Sequence, residues 1–214
     1  MKATTQVIFD ELFVRYPNLN EQKENVLKAY LLLEETFKNG GSLFICGNGG
    51  SAADSEHIVG ELLKSFKMHR AIDKNVAEKL MQSGEEGAYL LEKLEGALPA
   101  CSLNSQVSIL TAFANDKSWD TSYAQQLYGL GKKGDCLIAL STSGNSKNCV
   151  YCAYLAKAKD IKSISLTGVG GGKLASCSDC IIAVPETETY KVQEYHLPIY
   201  HHICMKLEKN IFGE

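Results

Sequence analysis

The sequence predicts an α/β fold built on a mostly parallel sheet. Short apolar runs alternate with helix-length stretches along most of the chain, the pattern of strand–helix units. Two of these runs lead into Gly/Ser-rich loops that open helices. Residues 42–46 run into Gly47-Asn48-Gly49-Gly50-Ser51, and residues 136–140 run into Ser141-Thr142-Ser143-Gly144-Asn145-Ser146. In such sheets ligands bind at the carboxyl ends of strands, near the point where strand order reverses.

Residues 6–16 and 20–39 are expected as helices. The second carries Val26, Leu27, Tyr30, Leu31, Leu33 and Phe37 at helical spacing and stops at Gly40-Gly41. Strand 42–46 and a helix over 51–67 follow. Residues 74–97 read as helical but polar, divided by Gly84 and Gly87. Pro99 and the run Ala100-Cys101-Ser102-Leu103 suggest a short strand, and helices are expected over 105–114 and 119–130. Strand 136–140 and helix 146–158 form one unit. Strand 162–166 and Thr167-Gly168-Val169-Gly170-Gly171-Gly172 begin the next, with a short helix near 173–176. Strand 180–184 stops at Pro185, and a last helix covers 190–211. One domain is expected over 1–214, with N-terminal helices (1–39) used in packing or oligomerisation and an α/β core over 40–214.

The 22 Lys and Arg residues against 25 Asp and Glu give a net charge of −3, which argues against a generic nucleic-acid binder. No apolar run approaches the ~20 residues that span a bilayer. Asp10 and Glu11 interrupt any signal-like pattern near Met1, so a cytoplasmic location is expected. Most of the eight cysteines sit in apolar surroundings and read as reduced core residues. Cys149-x2-Cys152 and Cys177-x2-Cys180 leave a second reading, a four-cysteine zinc site.

The loop Ser141–Ser146 offers hydroxyls from Ser141, Thr142, Ser143 and Ser146 together with backbone N–H groups at a helix start, where an anion such as phosphate is held by neutral donors. An ordinary Ser-rich helix cap has the same composition. Gly47–Ser51 is neither a Walker loop, since no Gly-Lys-Ser/Thr follows, nor a GxGxxG turn, since Ala52 replaces the third glycine. His57 and Glu61 are i and i+4 and share a helix face, which suits a metal pair, an acid–base pair or a plain surface contact. Gln193, Glu194, His196, His201 and His202 crowd the last helix. Gln193 and His201 lie roughly 80° apart around that helix, although Pro198 disturbs it and places Gln193 in its first turn or just before. Asn115 and Asp116 suit a turn or sugar hydroxyls.

These motifs occur in one order: Cys46–Ser51, His57-x3-Glu61, Asn115-Asp116, Ser141–Ser146, Leu166-Thr167-Gly168 and Gln193-Glu194-x-His196-x4-His201. The set resembles the phosphoheptose (sedoheptulose 7-phosphate) isomerases of the sugar-isomerase (SIS) superfamily, over roughly residues 20–70 and 100–210. The resemblance implies a single SIS domain with a five-stranded parallel sheet in an α/β/α sandwich. It also implies a homotetramer with sites between subunits and one zinc ion per subunit. Carried over, the metal ligands are His57, Glu61, Gln193 and His201, and the acid–base pair is Glu61 and His201. Asn48, Gly49, Gly50 and Ser51, with Asn115, Asp116 and Gln193, contact the sugar. Ser141, Thr142, Ser143 and Ser146 hold the phosphate. The implied partner is a small phosphorylated sugar, with no nucleic acid and no membrane.

Three features depart from the family pattern. Residues 71–100 form a longer, helical connection that suits a lid, an interface element or a solvated hairpin. Tyr190-Lys191-Val192 precedes Gln193 where the family often has an acidic and then a basic residue. His201-His202 is a double, so either can be the ligand; the spacing to Gln193 selects His201. The competing functional readings are a non-catalytic SIS adaptor of the kind that binds the bacterial replication initiator, a sugar-phosphate sensor, and an isomerase for another sugar phosphate.

Overall fold

The computed structural model describes residues 3–213; the outermost residues of the expected 1–214 unit lie outside the described residues. Five strands make one all-parallel sheet: β1 (Leu43–Gly47), β2 (Ala100–Ser102), β3 (Cys136–Leu140), β4 (Lys162–Thr167) and β5 (Cys180–Ala183). Their order is β2-β1-β3-β4-β5. The chain leaves β1 toward one edge and returns to pair β3 on its other side, so strand order reverses between β1 and β3. Both Gly/Ser loops emerge at the carboxyl ends of these two strands, beside the crevice where such sheets bind ligands.

Alternate side chains of each strand point to opposite faces. Leu43, Ile45, Ile138, Ile164 and Ile182 pack under α1 (Ala3–Arg15), α2 (Lys23–Lys38), α3 (Gly50–Leu63) and α9 (Thr189–Phe212). Phe44, Cys46, Leu137 and Ala139 face α6 (Val107–Asp116), α7 (Ser122–Leu130) and α8 (Lys147–Ala158). The α/β/α layering follows directly. The buried Lys206 of α9 ties α1 and α2 to this stack, its ammonium 4.3 Å from the ring centroids of both Phe9 and Tyr30. Among the described residues no helix is long and apolar enough to cross a membrane.

Several element boundaries differ from expectation for identifiable reasons. Helix α3 stops at Leu63 instead of 67 because long-range partners take its next donors: the N–H groups of Phe66 and Lys67 bond the Glu208 carboxylate at 2.7 and 2.8 Å. Residues 74–97 are two helices, α4 (Lys74–Met81) and α5 (Gly84–Lys93), hinged where Gly84 holds φ +72. They form a projecting hairpin; α4 buries no residue and α5 buries only Gly87. Asn115 and Asp116 end α6 rather than follow it. Pro198 does not break α9, which runs unbroken from Thr189 and places Gln193 in its second turn. The carbonyl that Pro198 leaves without its helical donor belongs to Glu194, which is exposed.

The four-cysteine zinc site is excluded by the layering. Cys149, Cys152 and Cys177 lie in the core on one face of the sheet, and Cys180 lies in the core on the other. All eight cysteines are free thiols.

His196 is fully buried under β4, with Nε2 3.3 Å from the Thr167 carbonyl and Nδ1 without a partner. Burial pushes its pKa from 6.5 down to about 4, only partly opposed by that hydrogen bond. The unfolded chain therefore binds a proton between these values that the folded chain refuses. Stability is complete above pH 6.5 and falls as pH drops toward 4, by about 3 kcal/mol from this residue. Urea unfolding of the native chain and of His196→Gln across pH 7 to 4.5 should show a shallower slope in the variant; equal slopes contradict the assignment.

Candidate active site

The end of β1 is shaped by its glycines. Gly49 caps α3 at φ +57, a left-handed conformation that glycine adopts without strain. At Gly50 an added Cβ would stand 2.6 Å from Nε2 of Gln193, so the Gln193 amide lies over the first turn of α3. Ser51 is buried in that turn. Asn48 exchanges two hydrogen bonds with the buried Asn148 of α8, at 3.0 and 2.8 Å, bridging the β1 and β3 loops across the crevice. Tyr123 and Asn104 complete this floor, the hydroxyl of Tyr123 donating to the Gly47 carbonyl at 2.7 Å.

In the second loop Ser141 Oγ donates to Ser146 Oγ at 3.0 Å, and Ser143 Oγ accepts the Asn145 N–H at 3.2 Å. Thr142 is braced by β4, its carbonyl accepting the Gly168 N–H at 2.8 Å. Ser146 is the N-cap residue of α8, but its side chain caps nothing. A loop of hydroxyls at an uncapped helix start is a site for an anion. Asn115 and Asp116 are exposed at the end of α6 and bond each other at 2.9 Å. Nearby, Asp120 pairs with Lys147 at 3.6 Å, tying the α6–α7 junction to the first turn of α8.

Helices α3 and α9 pack side by side and in parallel, with Gly50 against Gln193 and His57 against His201. His57 Nε2 is 3.1 Å from Glu61 Oε1 and 3.4 Å from His201 Nε2. Ligand atoms of these three residues all lie within 4.8 Å of one another, the one such group among the described residues. Gln193 sits two turns before His201 on the same helix, at the Gly50 end of the seam. His202 points the other way: its Nδ1 donates to the Pro198 carbonyl at 2.7 Å, and its Nε2 is buried without a partner. Lys64 holds the outer oxygen of Glu61, Nζ to Oε2 at 3.2 Å.

The residues behind His57 determine which of its nitrogens carries the proton. The hydroxyl of Tyr200 lies 3.1 Å from Asp54 Oδ1 and 3.0 Å from His57 Nδ1. It has one proton, and the carboxylate is the stronger acceptor. His57 then donates from Nδ1 to the Tyr200 oxygen and keeps a lone pair on Nε2. Burial, reinforced by the neighbouring His57, lowers the His201 pKa and favours its neutral form. With His57 Nε2 left as an acceptor, a nitrogen of His57, another of His201 and a carboxylate oxygen converge, an arrangement that a proton or a metal ion between them relieves. Imidazole and carboxylate donors at such spacing, with Tyr200 held by Asp54 and orienting one imidazole, could hold a metal ion.

Asp54 is missed by the sequence reading, although its place one turn before His57 on the same face was an available signal; Tyr200, Asn148 and Lys64 carried no signal of their own. Removing the Tyr200 hydroxyl frees the His57 ring from its partner. Tyr200→Phe should weaken divalent-metal binding by about tenfold or more, with the fold retained. Competition with a chromophoric chelator measures this; unchanged affinity contradicts the orienting role.

The SIS domain family model matches residues 14–100 and 90–168. A phosphoheptose isomerase of Akkermansia muciniphila is 37% identical over 179 residues, 84% of this chain and 82% of that protein. One from Helicobacter pylori is 36% identical over 193 residues, 90% of this chain and 88% of that protein. The solved structure of a phosphoheptose isomerase from Neisseria gonorrhoeae aligns with a TM-score of 0.74 at 30% identity, covering 94% of this chain and 95% of that one. With the five-stranded parallel sheet and the paired loops at its switch point, these likenesses identify the chain as a member of the phosphoheptose isomerase family of SIS-domain proteins.

Proposed function

We propose that the protein is an aldose–ketose isomerase that converts sedoheptulose 7-phosphate to D-glycero-D-manno-heptose 7-phosphate. The observation that carries this reading is the convergence of His57, Glu61 and His201 at the α3–α9 seam, in a chain of this family. Glu61 is nearly buried, with one oxygen facing the imidazoles and the other held by Lys64. It takes the proton from C1 of the ketose and returns it to C2. His201, neutral near pH 7, moves the hydroxyl proton from O1 to O2 through the enediol. Ser141, Thr142, Ser143 and Ser146 anchor the phosphate. Asn48, Gly49, Gly50 and Ser51, with Asn115, Asp116 and Gln193, are the sugar contacts of this reading.

His57, Glu61 and His201, with Gln193 as the fourth ligand, would hold one zinc ion per subunit. When bound, zinc supplies Lewis-acid polarisation of the carbonyl. The side chain of His57 is 43% exposed in the single chain, an open flank that a second subunit can cover. The assembly of this reading is a homotetramer with sites between subunits, and that flank leaves room for it. The same loops and cluster could serve a sugar-phosphate sensor, but such a role needs no acid–base pair.

Purified protein incubated with sedoheptulose 7-phosphate, with and without zinc, should yield the aldose phosphate. Glu61→Gln should keep the fold and phosphate binding and lose about 10²–10⁴-fold in turnover. No product from the unsubstituted protein with metal present contradicts the assigned substrate, and full activity in Glu61→Gln contradicts the assigned base.

A further inference from the structure

The carboxyl end of α3 is closed by a buried ion pair that no sequence motif announced. Arg70 is 0% exposed and Glu208 of α9 is 1% exposed. Arg70 Nε donates to Glu208 Oε1 at 2.8 Å. Its two remaining nitrogens reach back to α3, Nη2 to the Glu61 carbonyl and Nη1 to the Leu62 carbonyl, both at 2.7 Å. These carbonyls belong to the last turn of the helix, where no intrahelical donor is available. Glu208 accepts two further bonds, from the N–H groups of Phe66 and Lys67. All three guanidinium nitrogens and both carboxylate oxygens of this pair are thus engaged in joining α3, and the segment that follows it, to α9.

The pair touches both halves of the cluster. On one side the guanidinium holds the backbone of Glu61 itself. On the other, Glu208 lies two turns after His201 on α9, and the Phe66 backbone it holds carries a ring 5.4 Å from the His201 ring, centroid to centroid. A slide of α3 along α9 would separate His57 and Glu61 from His201 and would break the Arg70–Glu208 contacts together. The hairpin stem also joins here, since the Gly96 N–H donates to the Arg70 carbonyl at 2.8 Å and the Ser65 N–H to Glu95 at 2.8 Å.

We infer that Arg70 and Glu208 are positioning residues for the metal and acid–base cluster, fixing the register of α3 against α9. The inference rests on the reading of that cluster given above. Neither residue touches substrate; each acts through Glu61 and His201.

Two full-length variants separate positioning from folding. Arg70→Met/Glu208→Leu replaces the buried pair by apolar side chains, an exchange that commonly preserves folding. Arg70→Lys keeps a charge opposite Glu208 but loses the fork onto two carbonyls. Circular dichroism reports the fold, chelator competition reports zinc affinity, and sedoheptulose 7-phosphate turnover reports kcat and KM. Folded variants should bind zinc about tenfold more weakly or worse, as when a ligand-orienting partner is lost. Their kcat should fall while KM stays close to that of the unsubstituted chain. A folded variant with undiminished zinc affinity overturns the inference. So does loss of the fold in both variants, because the pair would then act on the whole fold. Zinc binding by the unsubstituted chain without sugar turnover would sink the isomerase reading alone and leave the affinity comparison decisive.

Discussion

Helices α3 and α9 start at the carboxyl edge of the sheet and run away from it side by side, and the chemistry depends on how they meet. One carries His57 and Glu61, the other Gln193 and His201. No local sequence preference holds these groups together; the contact joins residues 144 apart. It is held by packing along the seam, where Ile58 and Leu62 meet Ile199, Tyr200, Ile203 and Leu207 in the larger core. It is fixed at one end by the glycines under Gln193 and at the other by a buried ion pair. Apolar burial supplies most of the adhesion, while the polar contacts select one register among those that burial alone would tolerate.

The same division explains why the two loops differ in purpose. After β3, hydroxyls and backbone donors lie at a helix start with no side-chain cap, an arrangement suited to an anion without a permanent counter-charge, as proposed above. After β1, the polar groups of Gly47 and Asn48 are consumed internally: Asn48 exchanges hydrogen bonds with Asn148, and the Gly47 carbonyl accepts from Tyr123 and Asn104. That loop is scaffolding first, setting where α3 begins and hence where His57 and Glu61 arrive. The polar atoms gathered at His57, Glu61 and His201 on a half-open seam are of a kind found at sites shaped for a ligand rather than for stability.

Features governed by local periodicity were legible in the sequence. The strand positions follow from apolar runs bounded by turn residues, and His57 with Glu61 follows from the helical repeat. The break at Gly84 follows from glycine conformation. Features governed by distant partners were not. Helix α3 ends early because Glu208 captures the N–H groups that would have continued it. Asp54 finds its role only when Tyr200 arrives from the last helix. The crowding of His and Gln on the last helix suggested that it could supply ligands, but its pairing with α3 as one ligand set came from family resemblance. The cysteines are free, mostly buried thiols as expected, and the alternative zinc reading of the CxxC pairs fails because spacing along the chain says nothing about which face of the sheet each thiol occupies.

In the reading proposed above, His57, Glu61 and His201 converge to hold a metal beside the sugar. Anomalous X-ray scattering at the zinc edge, from crystals of the full chain loaded with zinc, tests it most directly. The account predicts one strong peak per chain at about 2.0–2.2 Å from His57 Nε2, a Glu61 oxygen and His201 Nε2. A peak on other side chains, or none between these three at saturating zinc, would contradict it.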